Sequence, residues 1–395
     1  MSLFIRGARV VAGGDGPGAA GHVRVEGDRI AAVGADIAPA PGDRVIEAAG
    51  RVIMPGFVDA HTHALWAGDR LEEFDQRQRG VTYLEILAAG GGILATVRAV
   101  RAASEDELAN KLRGRLAHML REGTTTVEVK SGYGLSTEHE LKMLRAIRAA
   151  GRTFPGTVVA TALLGHAIDR DGVGDERSFV DRVVAETLPA VHAEFPGIAV
   201  DAYCEQGAWS LADCRRLFEA ARALGHPVRL HADQFNRLGG VELAIELGAR
   251  SVDHLEASNL DDLARLAAAG IAGVILPACG FHTDGRYANA RALIDAGGRV
   301  VLASNCNPGS SPTSSIPFVI ALARRQLRLT LDEAIDAVTV NAAALLGLAD
   351  RGRVAVGQRA DLILLRHDDE RQLGHELGGN PVDLTIAGGA IVPGV

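Results

Sequence analysis

Short apolar runs alternating with stretches of helical periodicity organise the middle of this 395-residue chain. The runs Val228-Arg-Leu-His231, Ser251-Val-Asp-His254 and Val300-Val-Leu-Ala-Ser-Asn305 read as strands that stop on a polar residue. Between them, Gly240–Gly248 and Leu260–Gly270 space their apolar residues as helices do and end on glycine, the residue that closes a helix most easily. The same reading, started from the run that ends at His63, predicts further strands at Thr125–Ser131, Thr157–Gly165, Ile198–Glu205, Val228–Asp233, Ser251–His254, Ile271–Ala278 and Val300–Asn305. Eight strands, each followed by helical sequence, imply an α/β fold of the (β/α)8 TIM-like barrel type, with chemistry at the C-terminal strand ends. The barrel is assigned to residues 54–347. Residues 1–53 and 348–395 carry shorter alternating runs broken by glycine, among them Leu3–Val11 and Asp361–Leu365, and predict one small β-sandwich domain built from both termini.

A barrel register gathers polar residues that are far apart in the chain. Val52-Ile-Met-Pro-Gly-Phe-Val-Asp-Ala-His-Thr-His63 ends an apolar run on two imidazoles, and strand alternation puts His61 and His63 on one face. Neutral imidazole is a good ligand for Zn, Fe or Ni, although two core histidines can also be simple hydrogen-bonding pairs. The metal reading gains weight because His231 and His254 end strands five and six and Asn305 ends strand eight. A formal charge of −8 argues against a general nucleic-acid binder. No signal peptide or membrane span is expected from the short, charge-interrupted apolar stretches. Cys204, Cys214, Cys279 and Cys306 show no C-x-x-C spacing, so a reduced, cytoplasmic chain is expected.

The barrel entry PGFVDAHTH resembles the metal-dependent amidohydrolase superfamily. Five further motifs narrow the resemblance: His63-Ala-Leu-Trp-Ala-Gly-Asp-Arg70, Gly90-Gly-Gly-Ile-Leu-Ala-Thr-Val-Arg98, Lys130-Ser-Gly-Tyr-Gly-Leu135, His231-Ala-Asp-Gln234 and Asn307-Pro-Gly-Ser310. Over residues 52–347 they look like the imidazolonepropionases, the ring-opening hydrolases of histidine degradation. The resemblance implies hydrolysis of 4-imidazolone-5-propanoate to N-formimidoyl-L-glutamate, with one Zn or Fe ion, divalent or trivalent, and a homodimer. It assigns the metal to His61, His63, His231 and Asn305, and acid–base work to His254 with Asn305. It assigns the small anionic heterocyclic substrate to Arg70, Tyr133, His166, Gln234, Asn307, Gly309 and Ser310.

Chemistry bears on several of these assignments. A planar, permanently charged guanidinium suits the substrate's carboxylate, whereas a lone loop arginine is ordinarily a solvated charge. Tyr133, between Gly132 and Gly134, is either presented into the cleft or plugs the underside of a loop. His166 ends strand three, where it can meet substrate or hydrogen-bond a metal ligand. The two-metal members of the superfamily carry a bridging lysine on strand four; this chain has none there, and Lys130 lies on strand two, which favours a single ion.

Two positions depart from the superfamily pattern. Gln234 stands where mononuclear deaminases carry glutamate; some imidazolonepropionases share it, and it can bind a ring but cannot shuttle a proton. Asn305 stands where an aspartate normally ligates the metal and takes a proton. It is a natural variant working differently, a change that traps a ligand, or the mark of a homologue drifted toward binding or toward a related lactam or thioxo-imidazolidine acid. Three imidazoles and a neutral amide leave an ion's full +2 charge in place, which keeps coordinated water acidic and lets His254 take its proton.

Overall fold

Eight parallel strands, Phe57–Asp59, Thr124–Lys130, Thr157–Gly165, Ala199–Cys204, Val228–Ala232, Ser251–His254, Ala272–Ile275 and Val300–Leu302, pair strictly in chain order in the computed structural model. The structure describes residues 2–392 except 14, 15, 17, 82–84, 87–90, 173 and 174; Gly90 of the glycine-rich motif thus lies outside the described residues. The sheet closes between its first and last strands through Asn305 N–H donating to the His61 carbonyl at 3.1 Å and His63 N–H donating to that of Cys306 at 3.0 Å. The expected barrel is present.

Most of its strands are buried on both faces, as Thr124–Lys130 is throughout, while Thr157–Gly165 starts half-buried. Helices cover the outside and are started by their own sequence. Ser104 with Glu107, Asn259 with Asp262 and Thr330 with Glu333 form reciprocal capping boxes, each satisfying two otherwise orphaned N–H groups. Gly248 ends the helix Gly240–Leu247 at φ +60°, the left-handed geometry that favours glycine.

Several strands are shorter than the apolar runs that predicted them. Strand one stops at Asp59 and strand eight at Leu302, so His61, His63 and Asn305 lie just beyond the ladder rather than within it. The physical reason is local: the Asp59 carboxylate accepts from Ser304 N–H at 3.1 Å and from the Ser304 hydroxyl, and Asn305 turns to φ +54°. Left-handed backbone also follows strands five and six, at Asp233 (φ +57°), His254 (φ +90°) and Leu255 (φ +73°). Strain of this kind concentrates where function sits.

The terminal β domain is formed as expected from both ends of the chain, and hydrogen bonds run through all eight of its strands as one sheet. Val52–Pro55 lies between Ser2–Val10 and Leu362–Leu365 in that sheet. Leu3, Ile5, Val23, Val25, Ile53, Leu362 and Leu364 give it a separate buried core. Gly56 links it to the barrel, and only glycine fits, because a Cβ there would lie 2.4 Å from Thr125 Oγ1. Among the described residues no helix is long and apolar enough to cross a membrane.

Candidate active site

His61, His63 and His231 are buried and bring ligand nitrogens within 4.8 Å of one another. Nε2 of His63 and Nε2 of His231 lie 3.4 Å apart, close to the separation of about 3.3 Å that two nitrogens on one tetrahedral ion require. His61 Nδ1–H donates to Asp253 at 2.6 Å and His231 Nδ1–H donates to Asp201 at 3.0 Å. Each carboxylate fixes its ring's tautomer and leaves Nε2 as a lone-pair ligand. His61 Nε2 and the Asn305 side-chain oxygen Oδ1 are buried without a partner, which is costly unless each finds one. The donor set and its orphaned atoms fit one metal ion.

Beneath the histidines lies a layer of buried charge. Lys130 Nζ donates at 2.9 Å to both Glu128 and Asp201 and sits 4.0 Å from Asp253. Arg229 donates to Asp253 at 2.7 Å and to the Ala60 carbonyl at 2.9 Å. Burial pushes Asp253 up, but Arg229 and Lys130 outweigh it and hold the carboxyl below its usual range, so it meets His61 as a carboxylate. Burial wins at Asp201, which is raised despite Lys130. Lys130 is therefore taken up by the acidic side chains of this layer, not placed as a bridging ligand. Apart from Lys130, the sequence reading missed this layer, yet the signal was present: Glu128 and Lys130, like Arg229 and His231, are two apart in strands and so share the interior face.

Tyr133, His166 and His254 lie against the histidines, and the other expected residues sit in loops whose own contacts are with further residues. Tyr133 is buried with its ring centroid 6.1 Å from that of His63 and 5.1 Å from that of His166. Glu140 holds its loop by accepting from Gly132, Gly134 and Leu135 N–H at 2.7–2.9 Å. A Cβ on Gly134 would lie 2.5 Å from Glu140 N, so the glycines are there to let the loop close on this carboxylate. His166 stacks on His63 at 5.0 Å and donates Nδ1–H to the Gly132 carbonyl at 2.9 Å. Arg70 pairs with Glu73 and lies beside Gly309, where a Cβ would be 3.5 Å from Nη1.

The loop after strand eight is organised by its own asparagine. Asn307 Oδ1 accepts from Gly309 N–H at 2.9 Å and Ser310 N–H at 2.7 Å, while Nδ2 donates to the Asn305 carbonyl at 2.6 Å. Asn307 thus shapes the loop next to Arg70. Gln234 accepts from the Tyr203 hydroxyl at 2.7 Å, and Glu205 accepts from Phe235 N–H at 2.8 Å, holding the segment that carries it. His254 lies with its ring centroid 5.7 Å from that of His231 and donates Nδ1–H to Glu256 at 3.3 Å. Tyr203, Glu205, Glu140 and Glu256 carried no sequence signal strong enough to be singled out.

A model of the Amidohydrolase family matches residues 77–393. The chain is 46% identical over 381 residues to an imidazolonepropionase of Herpetosiphon aurantiacus, covering 94% of this chain and 89% of that protein. It is also 46% identical over 380 residues to one of Rubrobacter xylanophilus, covering 94% and 90%. The chain belongs to the imidazolonepropionase family. Imidazolonepropionases are metal-dependent hydrolases of a carbon–nitrogen bond in a cyclic amide, and this chain is one of that class. Its fold is also that of a triazine hydrolase variant, with TM-score 0.77 at 20% identity over 99% of this chain and 94% of the other. An N-isopropylammelide isopropylaminohydrolase of Burkholderia multivorans gives TM-score 0.72 at 20% identity, covering 99% and 98%.

The imidazolonepropionase site has a pH signature when free of metal. Burial first, and neighbouring charge second, hold His61, His63 and His231 well below the ordinary 6.5, and burial pulls His166 down to about 4. Such rings take up protons only on unfolding, so below pH 6.5 or so the unfolded chain binds more protons and stability rises with pH. The contribution is complete above about pH 6.5 and is lost progressively as pH falls toward 4. Chelator-treated protein should melt several degrees lower at about pH 5 than at about pH 7.5. A melting temperature that rises on acidification would show that these histidines are charged in the fold.

Proposed function

We propose that this imidazolonepropionase family member opens the ring of 4-imidazolone-5-propanoate by hydrolysis, giving N-formimidoyl-L-glutamate, with one Zn or Fe ion held by His61, His63, His231 and the Asn305 amide oxygen. The observation that carries the reading is the convergence of three buried imidazoles, two of them with tautomers set by Asp253 and Asp201. An ion bound there polarises a carbonyl and acidifies water. The chain's own residues do the rest. The Arg70 guanidinium holds the propanoate, Tyr133 and His166 border the ring, and Gln234 meets its polar edge. Asn307, Gly309 and Ser310 form the wall beside Arg70. His254, with Nδ1–H on Glu256, has Nε2 to receive a proton and a carboxylate to stabilise the imidazolium that results. Asn305, being an amide, takes no proton, which favours a slower enzyme or a binding homologue as the second reading. The four cysteines are free thiols, in keeping with a cytoplasmic setting.

Arg70→Ala tests the substrate assignment. Removing one partner of a largely buried ion pair costs about 2–5 kcal/mol, and competition from Glu73 in the free enzyme puts the effect at the lower end. KM for imidazolone propionate should rise by about thirtyfold or more with metal content unchanged. An unchanged KM, or lost metal, removes Arg70 from the carboxylate.

A further inference from the structure

Beside the three-histidine centre a second set of metal-capable atoms converges. One nitrogen of His254, a carboxylate oxygen of Glu256 and the thiol of Cys279 lie within 4.8 Å of one another. They come from two neighbouring strands. His254 ends strand six, and the left-handed turn at His254 and Leu255 brings Glu256 back to it. Cys279 lies four residues after the end of strand seven, at Ile275. All three side chains are buried, that of Glu256 to 6% exposure. Glu256 Oε2 has no hydrogen-bond partner although it is shut away from water. A carboxylate oxygen left so is expensive, and it is the independent sign that the cluster is built to receive something positively charged.

We propose that His254, Glu256 and Cys279 form a second, inhibitory zinc site adjoining the catalytic centre. Nitrogen, oxygen and sulfur donors together suit Zn(II) or Co(II) far better than Mg or Ca. Zinc–ligand lengths of 2.0–2.3 Å imply donor separations of about 3.3–3.7 Å, reached from the present spacing by side-chain rotation. Zn(II) enters, a Zn–S bond forms as the thiol loses its proton to solvent, and the Glu256 carboxylate supplies the second negative charge. The ion's +2 is thereby cancelled inside a buried pocket. Zinc on Nδ1 shifts the proton that His254 shares with Glu256 to Nε2 of the same ring, which then has no free lone pair to take a further proton and form an imidazolium. The binding claim stands on geometry alone, while the inhibition rests on the proposed proton-carrying role of His254.

The test starts from enzyme holding one equivalent of zinc. Further zinc is added, unbound ion is removed by gel filtration, and bound metal and imidazolone propionate turnover are both measured. The unaltered chain should retain a second equivalent and lose at least tenfold in rate. Cys279→Ser and Glu256→Gln should retain one and keep their own starting rates as zinc is added. With Co(II), a near-ultraviolet thiolate-to-cobalt band should appear at the second equivalent and be absent in Cys279→Ser. A single equivalent in the unaltered chain, or an undiminished second equivalent in Cys279→Ser, overturns the site. Should Glu256→Gln raise KM while every form binds the same zinc, the carboxylate serves substrate and the proposal fails. Second-equivalent uptake through Cys279 with unimpaired turnover upholds the site and removes His254 as proton carrier.

Discussion

Replacing Asn305 by Asp raises kcat by about tenfold to a thousandfold. The substitution is nearly isosteric, and the backbone at 305 is already held by the His61 and Asn307 hydrogen bonds, so the fold should tolerate it. Oδ1 is buried and unpartnered, so a carboxylate there is shut away from solvent. Two effects oppose each other. A positioned base contributes about 10²–10⁴ in rate. A negative charge beside the ion makes water less acidic, and one pKa unit of that sacrifices at most about tenfold. The base wins by one to three orders of magnitude. Steady-state rates across pH, with metal content measured in parallel, check it. Equal kcat and an identical pH profile in the two proteins, with the unaltered chain already at ordinary enzyme rates, would mean that residue 305 is remote from the reacting water.

His61→Ala, His63→Ala and His231→Ala each lose the metal and with it turnover. Disrupting only the hydrogen-bond partner of a ligand costs about 10–100-fold in affinity, so deleting the ligand costs more than about a hundredfold. The barrel should survive, because Asp253 keeps Arg229 and Asp201 keeps Lys130 when the imidazoles go. Metal analysis after dialysis, with circular dichroism to confirm the fold, separates lost ligation from lost structure. Full metal in any one variant would remove that histidine from the centre.

The barrel was legible because its evidence is local and repeated. Buried parallel strands such as Val228–Ala232 and Ser251–His254 appear in sequence as the apolar runs that become them, within a residue or two at most ends. The ends were the weak point. Strand eight was read to Asn305 but stops at Leu302, because Ser304 gives its N–H to the Asp59 side chain, a partner 245 residues away. Apolarity alone carries no record of such a bond.

At the site, the histidines were readable as strand-terminal imidazoles, and motif resemblance supplied Arg70, Tyr133, His166 and Gln234. What those residues touch was not readable. Glu73 beside Arg70, Tyr203 on Gln234 and Glu140 under the Tyr133 loop are partnerships between loops that no spacing rule connects.

By itself, then, the sequence determined the alternation of strand and helix, the glycine and capping signals that bound the helices, and which residue types end the strands. Those properties depend on dihedral preference and on apolar period, both written in neighbouring residues. Only the tertiary structure decided that Asp253 and Asp201 orient His61 and His231, that Lys130 and Arg229 keep those carboxylates company in the core, and that Cys279 faces Glu256. Charge pairing inside a barrel depends on which interior-facing positions share a layer. That depends in turn on how eight strands stagger when the sheet closes, which no single strand encodes.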